Sequence, residues 1–317
     1  MPESIAQRIL NGDVRALARA ASWVENRRPE AEQLLRELFP RTGRALILGV
    51  TGAPGAGKST LCDQFISRFR AEGETVGVIA VDPTSPYTGG ALLGDRIRMQ
   101  QHHADPGVFI RSMATRGWLG GLAAATTEMT MLLDAAGRDV VLVETVGVGQ
   151  DEVEIARLAD VTVVVLVPGM GDDVQAIKAG IMEIADVFVI NKADQPGAEK
   201  LERELKSHLS IAHRPDGWMP QVVRTVASEG DGIAEALDAV REYHARGSNR
   251  ERTAGIWSVR LREMLRERLL DRIPAEEFAA AGREVAERRR DPYSILEDWL
   301  KQGWLKQDWF KQDWFKR

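Results

Sequence analysis

Residues 45–60, with the sequence ALILGVTGAPGAGKST, decide the fold of this chain. The apolar run Ala45–Val50 leads into the pattern G-x-x-x-x-G-K-[S/T], and a stretch with helical spacing follows. A strand, a glycine-rich loop and a helix in this order are the context that a phosphate-binding loop requires. The glycines let consecutive backbone N–H groups face the phosphate oxygens together with the helix N-terminus. The sequence therefore predicts a nucleotide-binding loop formed by Gly52, Ala53, Pro54, Gly55, Ala56, Gly57, Lys58, Ser59 and Thr60.

Two side chains of this loop have separate expected roles. We expect the Lys58 ammonium to reach the β- and γ-phosphates. We expect the Ser59 hydroxyl to bind Mg²⁺, which prefers oxygen ligands in octahedral geometry. A chance glycine-rich turn is the alternative, but it does not explain why a strand, a helix, a lysine and a serine occur together.

Five more short apolar runs extend the prediction from a loop to a sheet. The runs are rich in β-branched residues and almost continuously apolar, as is typical of strands covered by helices on both faces. Helical stretches at 59–71, 122–136 and 199–209 separate them. We therefore predict an α/β fold with a doubly wound, mostly parallel sheet. The predicted strands lie at 45–50, 76–81, 140–143, 161–167, 187–190 and 222–226.

The regions on either side of this sheet are predicted to be helical. Residues 1–42 carry apolar side chains at helical spacing and form an N-terminal helical extension. A glycine-containing break at 247–249 separates the P-loop domain, 43–246, from a charged C-terminal helical arm, 247–317. In this arm we expect the apolar residues of 256–269 to form one face of a helix, and Asp291 and Pro292 to begin another helix. The arm ends in an aromatic tail with a five-residue repeat.

A second motif predicts which base is bound. Asn191, Lys192 and Asp194 form an N-K-x-D pattern at the end of the strand at 187–190. The Asp194 carboxylate can accept hydrogen bonds from N1–H and from the exocyclic N2 amine of guanine, and adenine offers neither donor. Adenine would leave this acceptor unpaired, at a cost of about 1–3 kcal/mol. The sequence thus favours GTP and GDP over ATP, and a further guanine contact is expected from the loop formed by Ala227, Ser228 and Glu229.

Acidic residues near the ends of other strands are candidates for the metal and the γ-phosphate. Glu144 begins the segment E-T-V-G, a D-x-x-G pattern with glutamate in place of aspartate, in which Gly147 would sense the γ-phosphate. Asp82, after the strand at 76–81, and Asp95, in a glycine-containing segment, are further candidates. The expected catalytic set is therefore Lys58, Glu144, Gly147 and Asp82. The expected Mg²⁺ ligands are Ser59, Asp82, Asp95 and Glu144.

The residue after Gly147 predicts the rate of hydrolysis. It is Val148, where fast GTPases carry a glutamine that positions the attacking water. We therefore expect slow intrinsic hydrolysis. Acceleration would require a partner, or a rearrangement that brings in Gln150, Asp151 or a basic group.

Composition excludes several classes of protein. The 317 residues carry 47 acidic and 42 basic side chains, for a net charge of −5, so no positive field attracts nucleic acid. The single cysteine, Cys62, cannot form an internal disulfide. The longest apolar run, 161–167, is too short to cross a bilayer, and the first residues lack the pattern of a secretory signal. We therefore expect a cytoplasmic protein that binds neither nucleic acid nor a membrane.

Together these motifs resemble the MeaB/ArgK family of P-loop GTPases, which belong to the SIMIBI class. The resemblance covers about residues 10–300, and it is carried by the segments 81–86, 88–99, 143–150, 168–178, 191–194 and 291–293. It implies a chaperone that protects adenosylcobalamin-dependent methylmalonyl-CoA mutase and gates its cofactor loading. It also implies a homodimer formed through the C-terminal helices, and a partner-coupling loop with Asp172, Asp173 and Lys178 as its polar residues. The five-residue repeat departs from the family pattern.

Two other functions stay open at this point. A nickel-insertion metallochaperone GTPase would share the fold class, but the five histidines show no metal-ligand spacing and Cys62 lies in the P-loop helix. An ATPase or kinase linked to amino-acid transport would need an adenine site. A comparison of GTP affinity with ATP affinity separates that function from a GTPase.

Overall fold

The computed structural model describes residues 3–82, 99–102, 104–114, 121–145, 155, 158–169, 179–211, 214, 216–247, 250–270 and 272–301. The chain divides into two compact units, Met1–Arg250 and Glu251–Arg317. The first unit contains the described sheet and the N-terminal helices, and the second contains the last three described helices. Within the ranges given above, no helix is both long enough and apolar enough to cross a membrane.

The first unit is built on a parallel sheet. Its strands are β1 (Leu46–Gly52), β2 (Val76–Asp82), β3 (Val108–Ala114), β4 (Val140–Glu144), β5 (Val161–Leu166), β6 (Val187–Ile190) and β7 (Gln221–Arg224). They lie in the order β3-β2-β4-β1-β5-β6-β7, and each neighbouring pair is parallel. The predicted fold class is therefore confirmed.

Helices cover both faces of this sheet. They are α1 (Ile5–Leu10), α2 (Val14–Glu25), α3 (Pro29–Leu38), α4 (Lys58–Ala71), α5 (Gly121–Ala135), α6 (Ala179–Ile184), α7 (Ala198–Ile211) and α8 (Ile233–Ala245). Consecutive strand residues point to opposite faces, so Val163 packs in one core with α4 and α8, and Val164 packs in another with α7. This two-sided burial explains why the strands read as continuous apolar runs.

The sequence prediction missed one strand, β3, at the edge of the sheet. It pairs with β2 alone among the described strands. Phe109 and Met113 are buried, but Arg111 between them is charged and forms an ion pair with Glu25 of α2. A search for continuous apolar runs passes over such a strand, because the described residues around it bury only part of its surface.

The N-terminal helices pack onto the sheet unit. The Asp13 carboxylate caps α2 by accepting hydrogen bonds from two backbone amides at 2.9 and 3.0 Å. Leu17 and Val24 of α2 share a core cluster with Leu132 of α5. Asp134 of α5 accepts hydrogen bonds from three consecutive amides, at 43–45. The helical extension and the sheet therefore share one core, and Asp134 fixes the point where they join.

The second unit contains α9 (Arg250–Leu270), α10 (Ala275–Ala286) and α11 (Pro292–Lys301). The predicted start of α11 is confirmed, because the Asp291 carboxylate accepts a hydrogen bond from the Ser294 amide at 2.9 Å. The prediction of one apolar face on α9 is wrong, since the apolar residues of 256–269 spread over about 220° of the helix wheel. Leu261 and Leu265 are 60% and 47% exposed. Residues 302–317, which hold most of the repeat, lie outside the described residues.

Candidate nucleotide-binding site

The sheet topology brings the predicted segments to one edge. Strands β2, β3 and β4 lie on one side of β1, and β5, β6 and β7 lie on the other. In open α/β sheets, ligands bind at such a reversal, beyond the carboxyl ends of the strands. The phosphate loop after β1, Glu144 at the end of β4, Asn191 after β6 and Ala227 after β7 all lie at this edge.

Two glycines give the phosphate loop its shape. A Cβ on Gly52, whose φ is +139°, would lie 2.2 Å from the carbonyl oxygen of Val165 on β5. A Cβ on Gly57, whose φ is +87°, would lie 2.3 Å from Nδ2 of Asn191. Both positions therefore require glycine for its conformation and for its lack of a side chain. The loop lies in close contact with β5 and with the segment after β6.

The Lys58 side chain is buried and turns back onto its own loop. Its ammonium Nζ donates to the carbonyl oxygens of Gly52 and Ala53 at 2.8 and 3.1 Å. These contacts satisfy a buried cation, which would otherwise be costly to remove from water. The loop thus holds a positive charge among its own backbone groups.

Ser59 and Glu144 meet beside the loop. The Ser59 hydroxyl donates to Oε1 of Glu144 at 2.7 Å, and both side chains are buried. Glu144 is the last residue of β4, and Ser59 is the second residue of α4. Asp82 ends the neighbouring strand β2, two residues beyond the Ala80–Glu144 pair. The structure therefore joins two of the four predicted metal ligands directly.

Asn191 links three segments of the site. Its Nδ2 donates to the carbonyl of Ala56 in the phosphate loop at 2.9 Å. Its Oδ1 accepts from the Thr225 hydroxyl and from the Ala227 amide, each at 3.1 Å. Asn191 is buried, so every one of these hydrogen bonds lies away from water. The first residue of the N-K-x-D pattern therefore positions the loops around it.

The other two residues of this pattern, Lys192 and Asp194, have different environments. Lys192 adopts a left-handed backbone, with φ +55°, and its ammonium donates to the carbonyl of Gly55 at 3.0 Å. Asp194 is exposed. In the loop that follows β7, Ser228 and Glu229 are exposed as well. Asp194, Ser228 and Glu229 therefore offer exposed hydrogen-bond acceptors beside the loops that Asn191 connects.

Thr225 is a residue that sequence reasoning missed. It is buried, its amide donates to Ile190 and its carbonyl accepts from Ala193, so it ties the end of β7 to the segment after β6. The available signal was a hydroxyl side chain near the carboxyl end of the predicted strand 222–226. Because the carboxyl ends of parallel strands meet at one edge, such residues are expected to approach one another.

Several predicted residues lie outside the described part of the chain. They are Asp95, Gly147, Val148, Gln150, Asp151, Asp172, Asp173 and Lys178. Within the described part, no group of three or more histidine, cysteine or acidic residues is arranged to hold a metal ion.

Comparison with known proteins agrees with this geometry. The family model described as methylmalonyl-CoA mutase-associated GTPase MeaB matches residues 17–278. A relative from Pyrococcus abyssi is 50% identical in an alignment 321 positions long, which covers 95% of this chain and 97% of the relative. GTPase ArgK of Escherichia coli is 43% identical in an alignment 251 positions long, which covers 77% of this chain and 76% of ArgK.

A solved structure gives the same result for the fold. The crystal structure of an LAO/AO transport system kinase has a TM-score of 0.71 and 32% identity, covering 94% of this chain and 96% of that one. The family match includes the phosphate loop, the end of β4 and the N-K-x-D segment. The chain therefore belongs to the MeaB family of P-loop GTPases associated with methylmalonyl-CoA mutase.

Proposed function

We propose that this chain is a GTP-dependent chaperone that protects an adenosylcobalamin-dependent methylmalonyl-CoA mutase and gates its cofactor loading. The nucleotide part rests on one observation, the joining of the phosphate loop to the N-K-x-D segment. Asn191 and Lys192 donate to the carbonyls of Ala56 and Gly55 at 2.9 and 3.0 Å. A segment that reads a base is thus held against a loop that binds phosphates. Membership of a mutase-associated family supports the choice of partner.

Guanine selection is assigned to Asp194, which accepts from N1–H and the N2 amine of the base. The exposure of its carboxylate supports this role, because a ligand can reach it. The loop Ala227–Glu229, bonded to Asn191 through the Ala227 amide, forms the other side of the base site. The nucleotide is therefore GTP or GDP.

The test of this assignment is the substitution Asp194→Asn. The asparagine oxygen can still accept from N1–H, but its NH2 group faces the N2 amine. One hydrogen bond to a carboxylate, worth about 1.5–3 kcal/mol, is therefore lost, and GTP affinity falls roughly 10- to 100-fold. Xanthosine triphosphate, which carries a carbonyl in place of the N2 amine, should gain affinity because the new amide can donate to it. Asp238→Asn, an exposed acid on α8, is the matched control. Equal affinity of the unmodified chain for GTP and ATP would refute the assignment.

Mg²⁺ is proposed to bind at Ser59 and Glu144, with Asp82 and Asp95 as further ligands. The contact of a hydroxyl and a carboxylate oxygen at 2.7 Å supports this, because both are the oxygen donors that Mg²⁺ prefers. When bound, the ion would neutralise charge on the β- and γ-phosphates.

The chain's own groups complete the proposed mechanism. Lys58 binds the β- and γ-phosphate oxygens, and the Gly147 amide senses the γ-phosphate. Hydrolysis is slow, because Val148 has no side chain that orients water. Measurement of single-turnover hydrolysis by the purified chain tests this, and a rate typical of fast GTPases would contradict it.

Two segments are proposed to contact other proteins: the C-terminal helices, and a loop that contacts the mutase. Asp172, Asp173 and Lys178 are proposed to couple the nucleotide state to the mutase. The C-terminal helices are proposed to form a homodimer, which the exposure of Leu261 and Leu265 on α9 supports.

Two measurements test these parts. Pull-down of purified methylmalonyl-CoA mutase should differ between GTP and GDP, and an absence of binding in both states would refute the chaperone role. Light scattering should give a dimer that Leu261→Glu weakens, while Leu10→Glu, an exposed leucine of the first unit, leaves it intact. A monomeric unmodified chain would refute the dimer.

A further inference from the structure

We propose that the hydroxyl pair Thr51–Thr145 is a positioning pair for GTP hydrolysis, an inference that rests on the proposed GTP site. The two Oγ1 atoms lie 2.8 Å apart, and both side chains are buried, with 0% and 5% of their surface exposed. Neither residue belongs to the sets assigned above to phosphate, base or metal. The possible role of the pair follows from the residues next to it in the sequence.

Each member of the pair borders a residue of the site. Thr51 precedes Gly52, whose carbonyl accepts from the Lys58 ammonium. Thr145 follows Glu144, whose carboxylate accepts from the Ser59 hydroxyl. The contact therefore joins the chain entering the phosphate loop to the chain leaving β4.

The pair lies one residue beyond the last register pair of β1 and β4. Register between these strands ends at Val50 and Glu144, and the Thr145 amide still donates to the Val50 carbonyl at 3.1 Å. On its other side, β1 pairs with β5 from Leu48 to Gly52. The hydroxyl contact and the Thr145–Val50 backbone hydrogen bond therefore hold Thr145 to β1 together, beyond the last register pair.

Hydrogen bonds from two consecutive side chains restrain the direction of the backbone more than one hydrogen bond does. Successive side chains of an extended segment point to opposite sides, so the Glu144–Ser59 and Thr145–Thr51 contacts restrain the chain from both sides. Displacement of the Glu144 backbone away from Ser59 is thereby opposed. We infer that the pair keeps Glu144 aimed at the metal position and fixes the start of the segment that carries Gly147.

The hydroxyls are not required for packing, and this makes the proposal testable. Valine has nearly the shape of threonine, and replacing both partners of a buried hydrogen bond by apolar groups of the same shape is close to neutral for stability. A single Thr→Val change instead leaves one buried hydroxyl without its partner. Stability and hydrolysis should therefore respond differently to single and double substitution.

The experiment compares Thr51→Val, Thr145→Val and the double variant with Thr162→Val. Thr162 is a fully buried strand threonine whose hydroxyl has no hydrogen-bond partner among the described residues, so it is the matched control. Each single variant at the pair should lose stability, and the double variant should regain it. In the double variant we expect kcat for GTP to fall about fivefold, which corresponds to ~1 kcal/mol. GDP affinity should stay within about twofold of the unmodified chain, because the pair touches no base contact.

Three results would overturn the proposal. A double variant that regains kcat together with stability would show that the pair is structural only. An equal loss of kcat in Thr162→Val would show a general effect of core substitution. Failure of Thr145→Ser, which retains the hydroxyl, to preserve kcat would show that the hydroxyl is not the cause. A failure of the unmodified chain to bind GTP would instead refute the site itself, so the two failures are distinguishable.

Discussion

Substitution of Gly57 by alanine should disconnect Asn191 from the phosphate loop. The added Cβ would lie 2.3 Å from Asn191 Nδ2, far inside the 3.4 Å at which ordinary contact begins. The Asn191 amide must then move, and its hydrogen bonds to Ala56, Thr225 and Ala227 are at risk together. Gly55→Ala is a matched control, because Gly55 also has a positive φ, +78°, but a Cβ there meets nothing within 4 Å.

The expected magnitudes separate the two variants. Both place alanine in the left-handed region, at a cost of about 1–2 kcal/mol. Gly57→Ala also leaves buried polar groups unpaired, at about 1–3 kcal/mol for each group that loses its partner. We therefore expect Gly55→Ala to destabilise the chain by about 1–2 kcal/mol and Gly57→Ala by about 3–5 kcal/mol.

Urea unfolding of the nucleotide-free chain, followed by circular dichroism, measures this difference. Nucleotide is left out so that binding does not add to the free energy of unfolding. In an Asn191→Ala background the clash is gone, and Gly57→Ala should cost only what Gly55→Ala costs. Equal destabilisation by the two alanine substitutions in the unmodified background would refute the reasoning. So would a loss of unfolding free energy on Gly57→Ala that is the same with and without Asn191→Ala.

Three further changes test the framework of the first unit. Arg214→Met removes the guanidinium that pairs at 2.9 Å with the fully buried Asp186 carboxylate, which also accepts from the Thr162 amide. This loss of the paired charge should destabilise by about 3–5 kcal/mol in thermal unfolding, whereas a loss under about 1 kcal/mol would contradict the role of the pair. Asp134→Ala leaves three backbone amides without their acceptor and should lower the urea midpoint by the equivalent of about 2–4 kcal/mol; an unchanged midpoint would show that water replaces the carboxylate. The hydrogen bond from the Arg70 guanidinium lowers the pKa of Asp105, so its stabilising effect is present above the ordinary pKa of 3.8 and is lost as pH falls through the lowered value. The stability gap between the unmodified chain and Asp105→Asn should therefore be widest near neutral pH and shrink in acid, and a gap that does not change with pH would contradict this.

Most strands of the sheet could be predicted from the sequence because they are buried on both faces. Strands covered on both faces must be apolar along their whole length, so β1, β4, β5 and β6 could be found from composition alone. The edge strand β3 could not, because Arg111 finds its partner, Glu25, in the N-terminal helices. That partner is 86 residues away in sequence, and no local pattern indicates it.

The site was predictable in its motifs and not in its connections. Glycines, the lysine and the N-K-x-D pattern carry fixed chemistry at fixed spacing, so sequence was enough to name them. The bonds of Asn191 reach Ala56 and Thr225, which lie 135 and 34 residues away, and only the order of strands in the sheet brings them together. The same holds for the contact between Ser59 and Glu144, which are 85 residues apart.

These contacts divide the site into two halves with different behaviour. The Asn191 hydrogen bonds join protein segments to one another, and a bound base can leave them in place. The contacts of Lys58 and Ser59 occupy the very groups that phosphate and Mg²⁺ would use, so they must be exchanged when a nucleotide binds. The base half is therefore held together by the protein's own contacts, which do not involve the γ-phosphate that distinguishes GTP from GDP. We expect discrimination between GTP and GDP to arise in the phosphate half, which contains Lys58, Ser59 and Glu144.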